Sequence, residues 1–247
     1  METILEAKGI CRSYGEKQIL KDVSLHLGQG ELVSLLGVSG VGKTTLFHVL
    51  SGVSRPDSGQ VLLGGEDVTG VPGRISYMLQ KDLLLPYKKV GVNVAMPLIL
   101  KGEKKSSAVA KVVPMFERFG IEGTEDMYPG QLSGGMRQRA ALLRTYMASD
   151  GVALLDEPFS ALDNITKSSM HNWFIDIMDK IDFSVLFITH DIDEAVLLSD
   201  RIYIISGRPA DISREIAVEV PREERADFSL KPEFLEYKRK VVEALAL

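Results

Sequence analysis

The sequence predicts an α/β fold: a largely parallel core sheet, shorter strands and turns in its opening third, and a helical insertion in its middle. Three observations carry this. In the later part of the 247-residue chain, short apolar segments alternate with helical ones, and strands separated by helices pair in parallel. The middle, about Leu83 to Ser149, has helical periodicity. A glycine-rich G-x-x-x-x-G-K-T segment, Gly37–Thr44, lies between an apolar strand candidate and a helix start.

In chain order, Ile4–Lys8 and Val23–Leu27 alternate weakly, as short strands do. Glu31–Leu36 reads as a buried strand ending at Gly37, and Lys43–Leu50 as the helix after it. Gln60–Leu63 and Arg74–Leu79 are further strands, the first closed by the turn signal Gly64-Gly65. Ala108–Phe119 puts Val109, Val112, Val113, Phe116 and Phe119 near one helical face, with Pro114 expected to kink or divide the helix. A second helix is expected from Gly134 to Met147. Strands at Gly151–Leu155, Ser184–Ile188 and Arg201–Ile205 then alternate with helices at Ile165–Lys180 and Ile192–Ser199. Met170, Trp173, Phe174 and Ile177 form the expected buried stripe of the first of these helices. A last helix is expected from Pro232.

Bulk properties bound the function. Lys and Arg total 29 against 34 Asp and Glu, a net charge of −5; such a chain offers nucleic acid no general attraction, and none is expected as a partner. Cys11 is the single cysteine, so no intramolecular disulfide forms and the residue reads as structural. The start, Met1–Glu6, is acidic and unlike a signal peptide. No apolar run approaches the roughly 18 residues of a membrane span; work at a membrane would need another chain to cross it.

The segment Gly37-Val38-Ser39-Gly40-Val41-Gly42-Lys43-Thr44 has the pattern and the flanks of a phosphate-binding loop. Its glycines allow backbone N–H groups to point inward at phosphate, and the following helix N-terminus adds partial positive charge. Lys43 is placed to reach the β- and γ-phosphates of ATP, and the Thr44 hydroxyl to ligate Mg²⁺. Ser39 and Thr45 are candidates for added hydrogen bonds.

A second constellation follows the strand near Val152. Asp156 and Glu157 end an apolar run before Pro158, and consecutive strand residues point to opposite sides. Asp156 suits Mg²⁺; Glu157 suits the attacking water, as general base or polarising group. Alone, the pair also describes an ordinary acidic turn; the phosphate loop favours the catalytic reading. His190 follows another apolar strand and is a candidate for the γ-phosphate and the water. Gln80, after the strand ending at Leu79, offers an amide oxygen to Mg²⁺.

Leu132-Ser-Gly-Gly-Met-Arg-Gln-Arg139 precedes the helix through Met147. Each of its two glycines costs a helix about 1 kcal/mol relative to alanine, which makes sense where the backbone must approach something closely. Ser133 can cap that helix, making a second anion site.

With this segment the chain resembles the ABC-type ATPases. Leu132–Arg139 is similar to their signature motif, Tyr14 to the aromatic residue that stacks on adenine, Gly37–Thr44 to Walker A, Gln80 to the Q-loop, Leu154–Glu157 to the end of Walker B, Ser160–Asp163 to the D-loop and His190 to the switch histidine. The resemblance covers about residues 4 to 225. It implies a RecA-like P-loop NTPase core with an antiparallel β-subdomain and an inserted helical subdomain at about 85–150. Residues 1–225 would form the nucleotide-binding domain and 226–247 a helical tail. It also implies a head-to-tail homodimer in which Ser133, Gly134 and Gly135 complete the partner's ATP site in trans, with Asp163 communicating between sites. Met136 stands where glutamine is commonest, and 144–150 is less typical; neither departure removes a catalytic residue.

Asp156–Asp163 resembles bacterial importers, and the stretches Met78–Tyr87 and Asn93–Leu98 resemble importers of nitrate, sulfonates, taurine and pyrimidine precursors. That implies a peripheral ATPase on the cytoplasmic side of the membrane, working with transmembrane permease subunits and, indirectly, a solute-binding protein. A lipoprotein-release or cell-division ATPase and a non-transport ATP-dependent clamp are the alternatives. A P-loop kinase or GTPase is disfavoured by the signature and by the lack of an Asn-Lys-x-Asp motif.

Overall fold

The computed structural model describes residues 2–225 and 227–245. Ten strands form one sheet: β1 (Thr3–Tyr14), β2 (Lys17–Gly28), β3 (Leu32–Leu36), β4 (Ser58–Leu63), β5 (Glu66–Asp67), β6 (Ser76–Met78), β7 (Val152–Asp156), β8 (Ser184–Thr189), β9 (Arg201–Gly207) and β10 (Ala210–Ala217). Seven α-helices accompany them: α1 (Lys43–Leu50), α2 (Val90–Leu100), α3 (Lys105–Arg118), α4 (Gly134–Ala148), α5 (Asn164–Met178), α6 (Ile192–Leu198) and α7 (Pro232–Leu245). The strand order is β5-β4-β1-β2-β10-β9-β3-β8-β7-β6. From β9 to β6 every pairing is parallel; β5, β4, β1 and β2 pair antiparallel. The two parts join where Ala210 of β10 pairs with Leu20 of β2.

The central strands β3, β7 and β8 are buried along their whole length because both faces are covered. In β8, Val185 and Phe187 face the cluster built with α2–α5, while Leu186 and Ile188 face the one built with α1 and the antiparallel strands. In β7, Ala153 and Leu155 take the first side, Val152 and Leu154 the second. A third cluster joins α6 and α7 to β9 and β10. Helices α2–α4 are inserted between β6 and β7, which are sheet neighbours.

Several elements differ from their sequence reading. β1 and β2 run much further than Ile4–Lys8 and Val23–Leu27. The alternation breaks at Gly9 (φ 59°) and Asp22 (φ 54°), where the register shifts and the inward set moves from Ala7 to Ile10. β10 was not expected; its long exposed run hides it. The strand expected at Arg74–Leu79 shortens to Ser76–Met78. α2 has no helix-start signal and carries Pro97 inside. Pro114 does not divide α3, which is one helix. It lies on the exposed face, and burial of Ala108, Val112 and Phe116 at four-residue spacing holds the helix together. Trp173 is half-buried, with the Arg139 guanidinium 4.7 Å over its ring. Ala226 and Ala246–Leu247 of the expected tail lie outside the described residues.

The loop between β6 and α2 is held from inside. Asn93, buried in α2, accepts the Leu85 N–H (2.6 Å) and donates to the carbonyls of Leu85, Lys88 and Lys89 at 3.0–3.1 Å. Arg144 of α4 donates to the Leu83 carbonyl at 2.9 Å. Removing a buried side chain that satisfies several backbone groups leaves them unpaired, so Asn93→Ala is expected to lower unfolding free energy by about 2 kcal/mol in denaturant titrations.

Candidate functional site

The phosphate loop leaves β3 at Gly37, where only glycine fits: an added Cβ would meet the Ile205 carbonyl oxygen at 2.5 Å. It re-enters a helix at Gly42, whose φ of 127° suits no other residue. Val41 is buried in the core and Val38 is exposed. Lys43 begins α1 and is buried; its Nζ donates to the carbonyls of Gly37 (2.7 Å) and Val38 (3.1 Å). Burial lowers its pKa, and the carboxylates of Glu157 and Asp156 oppose that shift.

An open cleft of about 270 Å³ lies over this loop. Ser39, Gly40, Gly42, Lys43, Thr44 and Thr45 line it from the loop and α1. The β1–β2 hairpin contributes Tyr14 and Ile19, and the ends of β7 and β8 contribute Glu157 and Ile188. Tyr14 is half exposed, with the Arg12 guanidinium 5.0 Å from its ring centre.

Asp156 stands behind Thr44: the Thr44 hydroxyl lies 3.4 Å from Asp156 Oδ2, and the Tyr77 hydroxyl donates to the same oxygen at 3.2 Å. Burial raises the Asp156 pKa, and so does the nearby Glu157 charge, against hydrogen bonds from Tyr77 and Thr44. A cation at this carboxylate–hydroxyl pair would relieve the cost of burying the charge. One carboxylate and one hydroxyl, with positions left to phosphate and water, is a donor set that fits Mg²⁺. Among the described residues no three His, Cys, Asp or Glu side chains group to hold a metal, so such an ion would need the nucleotide's oxygens as well.

Glu157 has φ 47°, a costly backbone for a non-glycine residue. Its N–H donates to the Ile188 carbonyl at 3.0 Å, which fixes it against the end of β8. His190 Nδ1 lies 3.1 Å from Glu157 Oε1. The Gln80 amide donates to Glu157 Oε2 at 3.0 Å and to Ser160 Oγ at 3.4 Å. Gln80 is therefore tied to Glu157 here, whereas Thr44 and Asp156 face each other. Sequence reasoning missed Ile19, Ile188, Tyr77 and Ser160. Ser160 and Tyr77 sit within recognised segments, but nothing in Ile19 or Ile188 distinguishes them from core.

Ser133 caps α4, accepting the Met136 N–H at 3.2 Å. Neither it nor Gly134 or Gly135 lines the cleft. An added Cβ at either glycine would meet nothing of this chain closer than 3.4 Å. Asp163 caps α5, accepting the N–H groups of Ile165 and Thr166 at 3.1 Å and the Thr166 hydroxyl at 2.6 Å. That hydrogen bond leads the causes that hold its pKa below the usual carboxylate value.

The ABC transporter family profile matches residues 20–160, more than half of the chain. The chain belongs to the ABC transporter family. It is 42% identical over 200 residues to the formylaminopyrimidine import ATP-binding protein ThiZ of Halalkalibacterium halodurans, covering 81% of this chain and 78% of that protein. Over 229 residues it is 37% identical to the nitrate import ATP-binding protein NrtD of Synechocystis sp., covering 90% and 86%. The fold matches cbiO1 from Clostridium perfringens, part of the ABC transporter complex cbiONQ, with a TM-score of 0.79 at 21% identity, covering 97% and 100% of the two chains. This ABC subunit is thus an ATPase with the P-loop NTPase fold.

A carboxylate whose folded pKa is raised costs stability in its charged form, most at pH values above that pKa. At neutral pH Asp156→Asn is therefore expected to raise the Tm of the nucleotide-free chain by about 2–4 °C for each ~1 kcal/mol relieved. The same change is expected to abolish Mg²⁺-dependent ATP turnover; calorimetry and a phosphate-release assay read the two effects.

Proposed function

We propose that this ABC subunit is the ATP-hydrolysing half-site of an importer of a small solute of the nitrate, sulfonate, taurine or pyrimidine-like class. The observation that carries the reading is the convergence of Lys43, Thr44 and Glu157 on one cleft, with Asp156 against Thr44 and His190 against Glu157. Tyr14 stacks on the adenine, and Ser39, Thr45 and the backbone of Gly37–Thr44 hold the phosphates. Lys43 exchanges its bonds to Gly37 and Val38 for phosphate oxygens, where its charge matches the group transferred. Thr44 and Asp156 would hold Mg²⁺, which would supply charge neutralisation to the phosphates when bound. Gln80 is the further ligand candidate and the link to the helical part. Glu157 orients and deprotonates the attacking water, and His190 holds Glu157 and the γ-phosphate in line.

Ser133, Gly134 and Gly135 act on the ATP of a second copy, with Asp163 between the sites. In support, their own chain offers no packing reason for glycine at 134 and 135. No helix among the described residues is long and apolar enough to cross a membrane. The membrane-crossing part is assigned to permease subunits, with a solute-binding protein delivering cargo and this chain peripheral on the cytoplasmic side. The permease docks near Leu83, Leu85 and Tyr87, which are exposed on the loop that Asn93 and Arg144 hold, while Leu84 is core.

Glu157→Gln is expected to give a chain that dimerises with ATP, seen by size-exclusion chromatography with light scattering, and turns over at least about 100-fold more slowly; normal hydrolysis would remove Glu157 from the role. For the shared site, chains carrying Ser133→Arg are mixed with chains carrying Lys43→Ala. Each is inactive alone, and the mixture is expected to recover ATP-dependent dimers with one intact site; no recovery would count against completion in trans.

A further inference from the structure

β8 ends at Thr189 and α6 begins at Ile192, so His190 sits in a short turn whose flanks are both fixed. The buried Thr189 hydroxyl donates to Glu194 Oε2 at 2.6 Å, and the same hydroxyl oxygen accepts the Asp191 N–H at 3.0 Å. Asp191 Oδ1 accepts the N–H groups of Asp193 (2.9 Å) and Glu194 (3.3 Å), which anchors the turn to α6. The His190 side chain between these anchors remains 59% exposed and reaches Glu157.

Glu194 is 3% exposed. Burial raises its pKa, but the proximity of His171 and Lys167 and the hydrogen bond from Thr189 outweigh this and bring it down to about 2. Its second oxygen, Oε1, lies 2.9 Å from Lys167 Nζ and 3.5 Å from His171 Nε2. Lys167 Nζ also lies 3.4 Å from Asp191 Oδ2. Both basic residues belong to α5, and the Lys167 N–H donates to the Asp163 carbonyl at 2.8 Å, in the first turn of that helix. A buried ion pair is a poor way to add stability alone, since apolar packing does as well or better. What it adds here is a fixed geometry joining α5 to the turn that carries His190.

We infer that Glu194 is a positioning residue for ATP hydrolysis: with Thr189 it aims His190 at Glu157, and through Lys167 it couples that aim to α5 and Asp163. The inference rests on the roles proposed above for His190 and Glu157. If Asp163 is engaged by a second copy, movement of α5 passes to His190 through two side-chain contacts, without any change in the cleft itself.

A double-mutant cycle on the full chain separates this from a purely structural role, with kcat and KM for ATP read in steady state and the slow variants in single turnover. Glu194→Gln is expected to lower kcat about tenfold and leave KM within about twofold; in a His190→Ala background the same change should cost less than about twofold. Lys167→Met should behave like Glu194→Gln, and Lys167→Arg should restore kcat to within about threefold of the parent. An equal loss in both backgrounds would make Glu194 an independent structural residue and overturn the inference. So would unchanged kcat in Glu194→Gln when His190→Ala has lost turnover. Full turnover in His190→Ala would instead overturn the role of His190, and this inference with it. Should Glu194→Gln fail to fold, Thr189→Val, which removes one buried hydroxyl at constant shape, takes its place in the cycle.

Discussion

Main-chain hydrogen bonding aligns β3, β8 and β7 so that Leu36 lies beside Thr189, and Asp156 beside Ile188. The three strands therefore end on one line. Gly37 opens the phosphate loop from β3, His190 follows β8 and Glu157 turns off β7. A slip of one residue in any pair would turn the side-chain set of that strand to the opposite face. Asp156 would leave Thr44, and Glu157 would leave His190. The alternating burial of Val185, Leu186, Phe187 and Ile188 between two apolar layers guards against such a slip. Core packing and chemistry are in this sense the same constraint.

On that frame, charge is held in unfavourable places. Lys43 and Asp156 are both buried, and burial is the leading cause of each shift, toward the neutral form in both cases. Glu157 is held in a left-handed backbone conformation. The two burial costs are of the kind that a bound phosphate and its counter-ion would remove, since they supply the missing partner charges. Lys43 meets part of its cost by turning back onto the carbonyls of its own loop.

Much of this was legible in the sequence, for identifiable reasons. The parallel strands announce themselves because two-sided burial demands unbroken apolar runs, as at Val152–Leu155 and Val185–Ile188. The phosphate loop is legible because its glycines answer to backbone geometry that no other residue meets. What stayed hidden depended on contacts distant in sequence. β1 and β2 are interrupted by bulges at Gly9 and Asp22 that reset the alternation, and β10 is a strand because β9 pairs with it, not because of its own pattern. Pro114 breaks a rule of isolated helices that burial of the opposite face overrides. In the site, the acids and Lys43 could be assigned from their segments. The link from Gln80 to Glu157 and the Thr189–Glu194–Lys167 contacts join five different segments of the chain and leave no local trace.

Gly134 and Gly135 separate two kinds of selection. Inside the chain neither position has a strained backbone or a neighbour close enough to exclude a methyl group, and α4 itself would gain from alanine at both. A screen for folding alone would therefore enrich the very changes that a screen for transport would discard. Drift in a copy of this gene released from transport should reach these two glycines early, while Gly37 and Gly42, fixed by the fold itself, persist. Under the completion in trans proposed above, their loss beside an intact phosphate loop would mark a relative that still folds and has stopped working with a second copy.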